Sequence, residues 1–405
     1  MKKTLVALAA LAATTAFAQS TVAITGNIDL GYRTVTQKGE TTLGGVNTDS
    51  QTRKTSNVAG NGAEGWTSSQ VVLTVAEDMG NGVKAGYVAD MNLSSFGTAA
   101  DASGQSLGTI RQSFLSLSDA KMGELRLGYQ YTLEDQIQGG VGRATPTGNV
   151  GGRFQNFSLA VNPNLATASV VEGTGVLTSG HITRANAFQY ATPVMSGFQV
   201  LVQAAQSLDD QDNRTAAGSS ESKSKLSAFA VKYSQGPLNL GLSHQKVKAQ
   251  VGTYHASTTE EQITGDTKAT NFAANYDLGV AKVFLNKVSR TSDYTTVAGT
   301  ANAGSMSAFD NNGSLKRTGT DLGVSAPFGK TTLFAAVASG KYKLDTNGDG
   351  VSVDYKIKGR LLGATYDLSK RTSLNAYYAM TKATYEAQIT DLSKKAVGFG
   401  IRHQF

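Results

Sequence analysis

Along most of the chain, apolar and polar residues alternate one by one rather than in groups of three and four. Val71, Leu73 and Val75 alternate with Gln70, Thr74 and Ala76, and Leu125, Leu127, Tyr129 and Tyr131 alternate with Arg126, Gly128 and Gln130. Phe272, Ala274, Tyr276 and Leu278 oppose Asn271, Ala273, Asn275 and Asp277, while Leu322, Val324, Ala326 and Phe328 oppose Asp321, Gly323 and Ser325. A period of two sends successive side chains to opposite faces, so each stretch predicts a strand bordered by two different media. The last residues show this most clearly. Phe405, His403, Ile401, Phe399 and Val397 share one phase, and Gln404, Arg402, Gly400, Gly398 and Ala396 the other. Pairing this strand with both its predecessor and the first strand would close a barrel, apolar outside and wet inside. A terminal strand of a soluble sandwich would alternate in the same way, so the rest of the chain has to decide.

The spacing of the connections favours the barrel. Tight turns are expected at Met79 to Gly82, Asp119 to Gly123, Pro193 to Gly197, Gln235 to Pro237, Asp277 to Gly279, Pro327 to Lys330 and Leu368 to Arg371. Most carry the Gly, Pro or Asp that hairpin turns require. Between them lie longer polar stretches, about 34–65, 94–108, 132–183, 207–224, 248–266, 291–315, 344–352 and 386–393. Short and long connections therefore alternate, as the two rims of an outer-membrane barrel require. Seven hairpins with a first and a last strand make sixteen strands. One stretch fits less well: Lys356, Lys358 and Arg360 share a phase with Leu362, Ala364 and Tyr366, which predicts a strand leaving the bilayer or bulging near Gly359.

The start of the chain adds a location. Lys2 and Lys3, the apolar run Leu5 to Ala13 and the sequence Ala16, Phe17, Ala18 read as a secretory signal peptide over residues 1–18, leaving 19–405 as the exported protein. With no cysteine, disulfides and zinc–cysteine sites are excluded. No later stretch is apolar enough for a spanning helix. Glycines number 45 and prolines only 5, which suits a large all-β chain with many turns. The net charge of +7 is dispersed and does not point to nucleic acid.

On these residues the chain resembles the sixteen-stranded Gram-negative porins of the beta-proteobacterial branch. The matching stretches are Val22 to Gly31, Glu77 to Gly80, Gly123 to Gln130, Arg184 to Phe198 with Asn186, Tyr190, Pro193 and Gly197, Tyr366 to Thr372, and Gly400 to Phe405. The resemblance implies an all-β, sixteen-stranded antiparallel transmembrane barrel in the outer membrane, surrounded by its lipid. It also implies that the long third outer loop, 132–183, folds into the lumen and narrows it. The implied function is passive diffusion of small hydrophilic solutes and ions through a water-filled channel, without a cofactor. A homotrimer is implied as well, with Phe405 resembling the terminal aromatic read by the barrel-assembly machinery. A substrate-preferring channel of the same fold is the alternative, with a barrel enzyme or an adhesin behind it.

A narrow gap focuses the field of each charge on it. The loop offers Glu134, Asp135 and Glu172 as acids and Arg143 and Arg153 as bases, and the wall offers Arg126, Lys282 and Arg402 in lumen phase. Arg111 is ambiguous, since it shares a phase with Leu115 and Leu117. Gln70 stands where relatives commonly have a wall arginine, and Tyr129 also departs from their pattern; both weaken a positive wall and leave a weak anion preference. Four scattered histidines give no metal spacing, and no GxSxG elbow occurs. Asp345, Asn347 and Asp349 match half of a calcium loop, but Lys356 stands where its glutamate belongs, so an ordinary polar turn is the simpler reading.

Overall fold

The computed structural model describes residues 20–43, 46–59, 69–93, 109–142, 184–210, 219–255, 259–297, 312–345, 352–385 and 389–405. The expected signal peptide, 1–18, lies outside them. The described residues form seventeen strand segments and one helix. In chain order these are β1 (Thr21–Leu43), β2 (Val46–Ala59), β3 (Gln70–Gly80), β4 (Val83–Asn92), β5 (Thr109–Asp119) and β6 (Gly123–Tyr131). The helix α1 (Leu133–Gly140) follows, then β7 (Arg184–Ala191), β8 (Phe198–Asp210), β9 (Ser219–Gln235), β10 (Leu238–His255) and β11 (Thr259–Asp277). The chain ends with β12 (Lys282–Val297), β13 (Asn312–Phe328), β14 (Thr331–Asp345), β15 (Ser352–Asp367), β16 (Thr372–Tyr385) and β17 (Ile389–Gln404).

Neighbouring strands pair antiparallel around the molecule, and β1 pairs with β17 from Asn27 opposite Gln404 to Thr42 opposite Ile389, which closes the cylinder. β2 and β3 follow one another along β1, the first beside Gly31 to Leu43 and the second beside Thr21 to Asn27. They share one place in the wall, so seventeen segments make sixteen wall positions. Closure removes the two edges an open sheet would have between its first and last strands.

The two faces carry different chemistry. Leu127, Phe272, Leu322 and Phe399 are exposed on the outer phase, while Gln130, Asn271, Asp321 and Ala396 are buried on the inner one. The outer phase suits hydrocarbon, where each apolar Å² kept from water contributes about 25 cal/mol. All seven tight turns are present. The first turns through Asn81 and Gly82, with φ of 53° and 85°, the left-handed pair that an Asn-Gly hairpin supplies. In the second, a Cβ on Gly123 would meet the Ala191 carbonyl oxygen at 2.1 Å, so no other residue fits there. Tyr190, Phe198, Tyr276, Phe328 and Tyr366 lie exposed beside the short turns, where an interfacial aromatic girdle belongs.

Two expectations are corrected. Much of the polar sequence expected as long loops is strand: β1 and β2 occupy most of 34–65, and β10 and β11 run to His255 and from Thr259. A ladder needs only paired backbone groups, and a hairpin that meets water on both faces needs no apolar phase. Of the two readings of 354–366, a strand leaving the bilayer or one bulging near Gly359, the bulge is excluded, because β15 keeps an unbroken register with both β14 and β16. Lys356, Lys358 and Arg360 therefore stand on the outer face together with Leu362 and Tyr366, and all five are exposed.

Candidate functional site

The helix α1 follows β6 while the wall continues from β6 to β7, and local sequence explains its start. The Thr132 hydroxyl accepts from the Asp135 backbone N–H at 3.4 Å, and Glu134 and Asp135 occupy the first turn, where the positive end of the helix favours them. Leu133 and Ile137, one turn apart, are 0% exposed and pack with Val141 against Ala191, Leu201, Ala230 and Ala273. These wall residues lie on the inner phase of β7, β8, β9 and β11, which is mostly alanine there. On β10 the same phase carries Gly241, where a Cβ would come within 2.9 Å of Ile137 Cγ2. Small wall residues thus form the seat into which the helix presses two aliphatic side chains.

Polar contacts fix the helix in that seat. The Glu134 carboxylate accepts from Gln245 Nε2 at 2.6 Å and is paired with the Arg290 guanidinium; the two ion-pair side chains are 1% and 2% exposed. A helix C-terminus leaves carbonyls without helical partners. Here Asn275 Nδ2 donates to the Val141 carbonyl and Asn286 Nδ2 to the Gly142 carbonyl, each at 2.6 Å. At the other end the Leu133 N–H donates to Gln203 Oε1 at 3.2 Å, and Gln136 Nε2 donates to Gln189 Oε1 at 2.8 Å. The ordered strands β7 to β12 therefore hold α1 from one end to the other.

A second cluster gathers at the foot of the helix. β4 and β5 pair Asp90 with Gln112 and Met91 with Ile110, so Arg111 is the extra residue of a bulge. Ile110 faces out, and Arg111 turns to the polar side, where it donates to Gln70 Oε1, to the Tyr131 hydroxyl and to Asn92 Oδ1 at 3.4 Å. Asp90 Oδ2 lies 3.5 Å from its Nε. Arg184 donates to the same Tyr131 hydroxyl at 3.0 Å and places its guanidinium 4.6 Å from the ring centroid. One phenol thus orders two guanidinium groups, whose mutual repulsion is offset by the electron-rich ring and by the Asp90 carboxylate.

The other expected residues are scattered. Arg126 is on the inner phase but bonded to Glu124 at 2.7 Å and stacked 5.0 Å from the Phe114 centroid. Lys282 begins β12 at the short-turn rim, with Nζ 5.7 Å from the Phe284 centroid. Arg402 stands opposite Asp29 across β1 and β17. Asp135 is buried at the start of α1. Glu134, expected to present a charge to the lumen, is instead sealed against Arg290. Gln70 was expected to weaken the positive wall, but β5, two strands along, brings the Arg111 guanidinium to it. Phe405 closes the ring through its backbone, its N–H donating to the Gly26 carbonyl at 3.1 Å and its carbonyl accepting from Gly26 at 3.2 Å. Arg143, Arg153, Glu172, Asn347 and Asp349 lie outside the described residues, and among the described residues no group of His, Asp or Glu could hold a metal ion.

Sequence reasoning missed Arg184 and Tyr131 and left Arg111 undecided. Strand phase places all three on the apolar face, and only the bulge and the turn into α1 redirect them. A signal for α1 was present in Thr132 followed by Glu134 and Asp135, with Leu133 and Ile137 four apart.

Comparison with known proteins agrees with this architecture. A sequence profile described as Gram-negative porin matches residues 4–385. The chain is 28% identical to an outer membrane porin protein of Bordetella pertussis and 29% identical to outer membrane porin protein 32 of Delftia acidovorans, each over the full length of both chains. Among solved structures it superposes on an anion-selective porin from Comamonas acidovorans with a TM-score of 0.61 and 24% identity, covering 96% of this chain and 100% of the other.

Proposed function

The chain belongs to the Gram-negative porin family, and on that premise we propose that residues 132–183 narrow its outer-membrane diffusion channel and that the arginines at the foot of α1 give it a weak anion preference. The observation that carries the proposal is the anchoring of α1 to the inner phase of β7 to β12. A sixteen-position barrel is too wide for its own side chains to fill, so a segment held against the inner wall sets the aperture. Glu134 is matched by Arg290, and Asp135, the other acid of the helix, acts on Arg184. Asp29, Asp90 and Glu124 likewise stand beside or opposite an arginine, whereas Arg184 and Lys282 also meet aromatic rings. The Comamonas structure is that of an anion-selective porin, which points the same way.

In this reading transport is passive, with no reaction and no cofactor, and small hydrophilic solutes and ions move down their gradients. Residues 1–18 direct export. The barrel-assembly machinery reads the end marked by Phe405, and three copies assemble with part of their outer walls together.

Reconstitution into a planar bilayer tests the proposal. Conductance steps in multiples of three and a reversal potential on the anion side are expected in a salt gradient. Replacing 143–183 with a short Gly-Ser linker should raise unit conductance and admit larger solutes. Unchanged conductance and size cutoff would show that this segment does not set the aperture, and folded protein that never conducts would defeat the channel itself.

A further inference from the structure

Asp321 stands midway along β13 on the inner phase and is 5% exposed. Directly opposite it on β12 is Asn286, 1% exposed, whose Nδ2 donates to the Gly142 carbonyl at 2.6 Å. Residues opposite one another on one face of a sheet bring their Cβ atoms to about 5 Å, so the carboxyl and the amide are within reach of each other. Among the described residues, neither Asp321 Oδ1 nor Asn286 Oδ1 has a hydrogen-bond partner. A buried oxygen left unpaired is destabilising, and here two of them lie on paired positions.

The amide cannot turn over to relieve this. Its Nδ2 is committed to Gly142, and a Cβ on Gly142 would meet Asn286 Oδ1 at 2.0 Å, so backbone and amide lie tightly against each other. Reversing the amide would set its oxygen against the Gly142 carbonyl oxygen. The surroundings of the carboxyl are neutral as well. On β12, Phe284 and Val288 flank Asn286; β14 places Ala338 opposite Asp321, with Ala336 and Gly340 beside it; and β13 itself carries Gly319 and Gly323 on this phase. Charged residues of the inner phase stand further off. Arg317 and Lys282 each lie two rows away, about 14 Å along the strands, with Arg317 opposite the Arg290 that Glu134 engages. Lys394 lies four strands along the same row, and Asp135 of α1 acts on Arg184.

A hydrogen between the two oxygens satisfies both. A neutral carboxylic acid supplies it, and an ionised carboxylate, which only accepts, does not. We propose that Asp321 is a positioning residue for the constriction: as a neutral acid it donates to Asn286 Oδ1 and fixes the amide that holds Gly142, and when its proton passes to lumen water that hold is released. Ionisation sets a buried negative charge against a fixed amide oxygen with no cation beside it among the described residues, an arrangement that drives the two apart. Asn286 moves, and the Gly142 carbonyl loses its donor. Gly142 is the last described residue before 143–183, so the aperture answers to the proton on Asp321, a consequence that rests on the reading of 132–183 as the constriction.

The test compares the whole wild-type protein with Asp321→Asn, which keeps a donor at every pH, and with Asp321→Ala, which never has one. Infrared difference spectra between about pH 5 and about pH 9 should show a carboxylic acid that loses its proton in the wild type and is missing from Asp321→Asn. A carboxylate already formed at the acid end would overturn the proposal. Amide exchange across α1, compared at equal pH, should match Asp321→Asn at the acid end and run about tenfold faster than it at the basic end, whereas Asp321→Ala should be fast throughout. Unit conductance should rise in the same pattern. Wild-type exchange equal to that of Asp321→Asn at both ends, or Asp321→Ala as slow as Asp321→Asn, would show that the proton does not position the helix. Exchange that follows the pattern while conductance stays flat would leave Asp321 its role and defeat the constriction instead.

Discussion

The seat of α1 and the cluster at its foot use arginine in opposite ways. Arg290 is sealed from water against the Glu134 carboxylate, and the small residues around the pair let the helix press close. Arg111 and Arg184, by contrast, are ordered by a neutral phenol and by the amides of Gln70 and Asn92, with Asp90 as a longer contact. A one-to-one pair sealed from water holds a segment in place, whereas Asp90 and Asp135 offset the part-exposed Arg111 and Arg184 less directly, and on the proposed reading what remains of their field acts on passing ions. On the proposed reading, one chain separates anchoring from sorting within a few residues of Tyr131.

The contrast can be broken most severely at the anchor. Arg290→Ala leaves Glu134 buried without its counter-charge, a loss of about 3–5 kcal/mol. Amide exchange across α1, followed by mass spectrometry, should accelerate at least about a hundredfold, and unit conductance should rise. Exchange as slow as in wild type would show that the pair does not hold the helix. Next in size is Arg111→Glu, which reverses one of the charges that the foot leaves available. The anion-to-cation permeability ratio should fall by about fivefold at 0.1 M salt and by much less at 1 M, where screening is shorter-ranged. A reversal potential that does not move would remove the bulge from the sorting site.

Smaller changes sharpen the picture. Thr132→Ala deletes the helix cap, worth about 1 kcal/mol. Faster exchange is expected in the first turn of α1, with selectivity unchanged. The smallest effect is expected for Arg126→Gln, because Glu124 already offsets that charge at the wall. The permeability ratio should move by less than about twofold, and a shift as large as that at Arg111 would mean that sorting is spread along the whole lumen.

Alternation made the barrel readable because a closed sheet between lipid and water obeys one rule at every position, and Phe272 beside Asn271 states it as plainly as Phe399 beside Gly398. Short turns were readable for the same kind of reason, since left-handed backbone at Gly82 or Gly123 demands a residue without a Cβ. The site was harder. Arg111 sits where a single extra residue reverses the facing of a side chain, and neither Arg111 nor its neighbours announce that insertion. Tyr131 and Arg184 escape the phase rule because the wall gives way to α1 just there. Lys356, Lys358 and Arg360 left two readings open, a strand leaving the bilayer or a bulge, and the regular register removes the bulge and leaves the cations facing outward. Glu134 is identifiable as an acid in sequence, but its neutralisation depends on Arg290, far along the chain on another strand.

Tyr131 and Arg184, which bound the excursion of 132–183, are register partners on adjacent strands. The excursion therefore leaves and rejoins the wall at one point. Closing such a loop costs only slightly more as it lengthens, so, on the proposed reading of 132–183 as the constriction, insertions, deletions or wholesale grafts between those two residues retune permeability while every ladder of the surrounding weave stays as it was. Adaptation to a new nutrient or toxin could then proceed by exchanging one cassette.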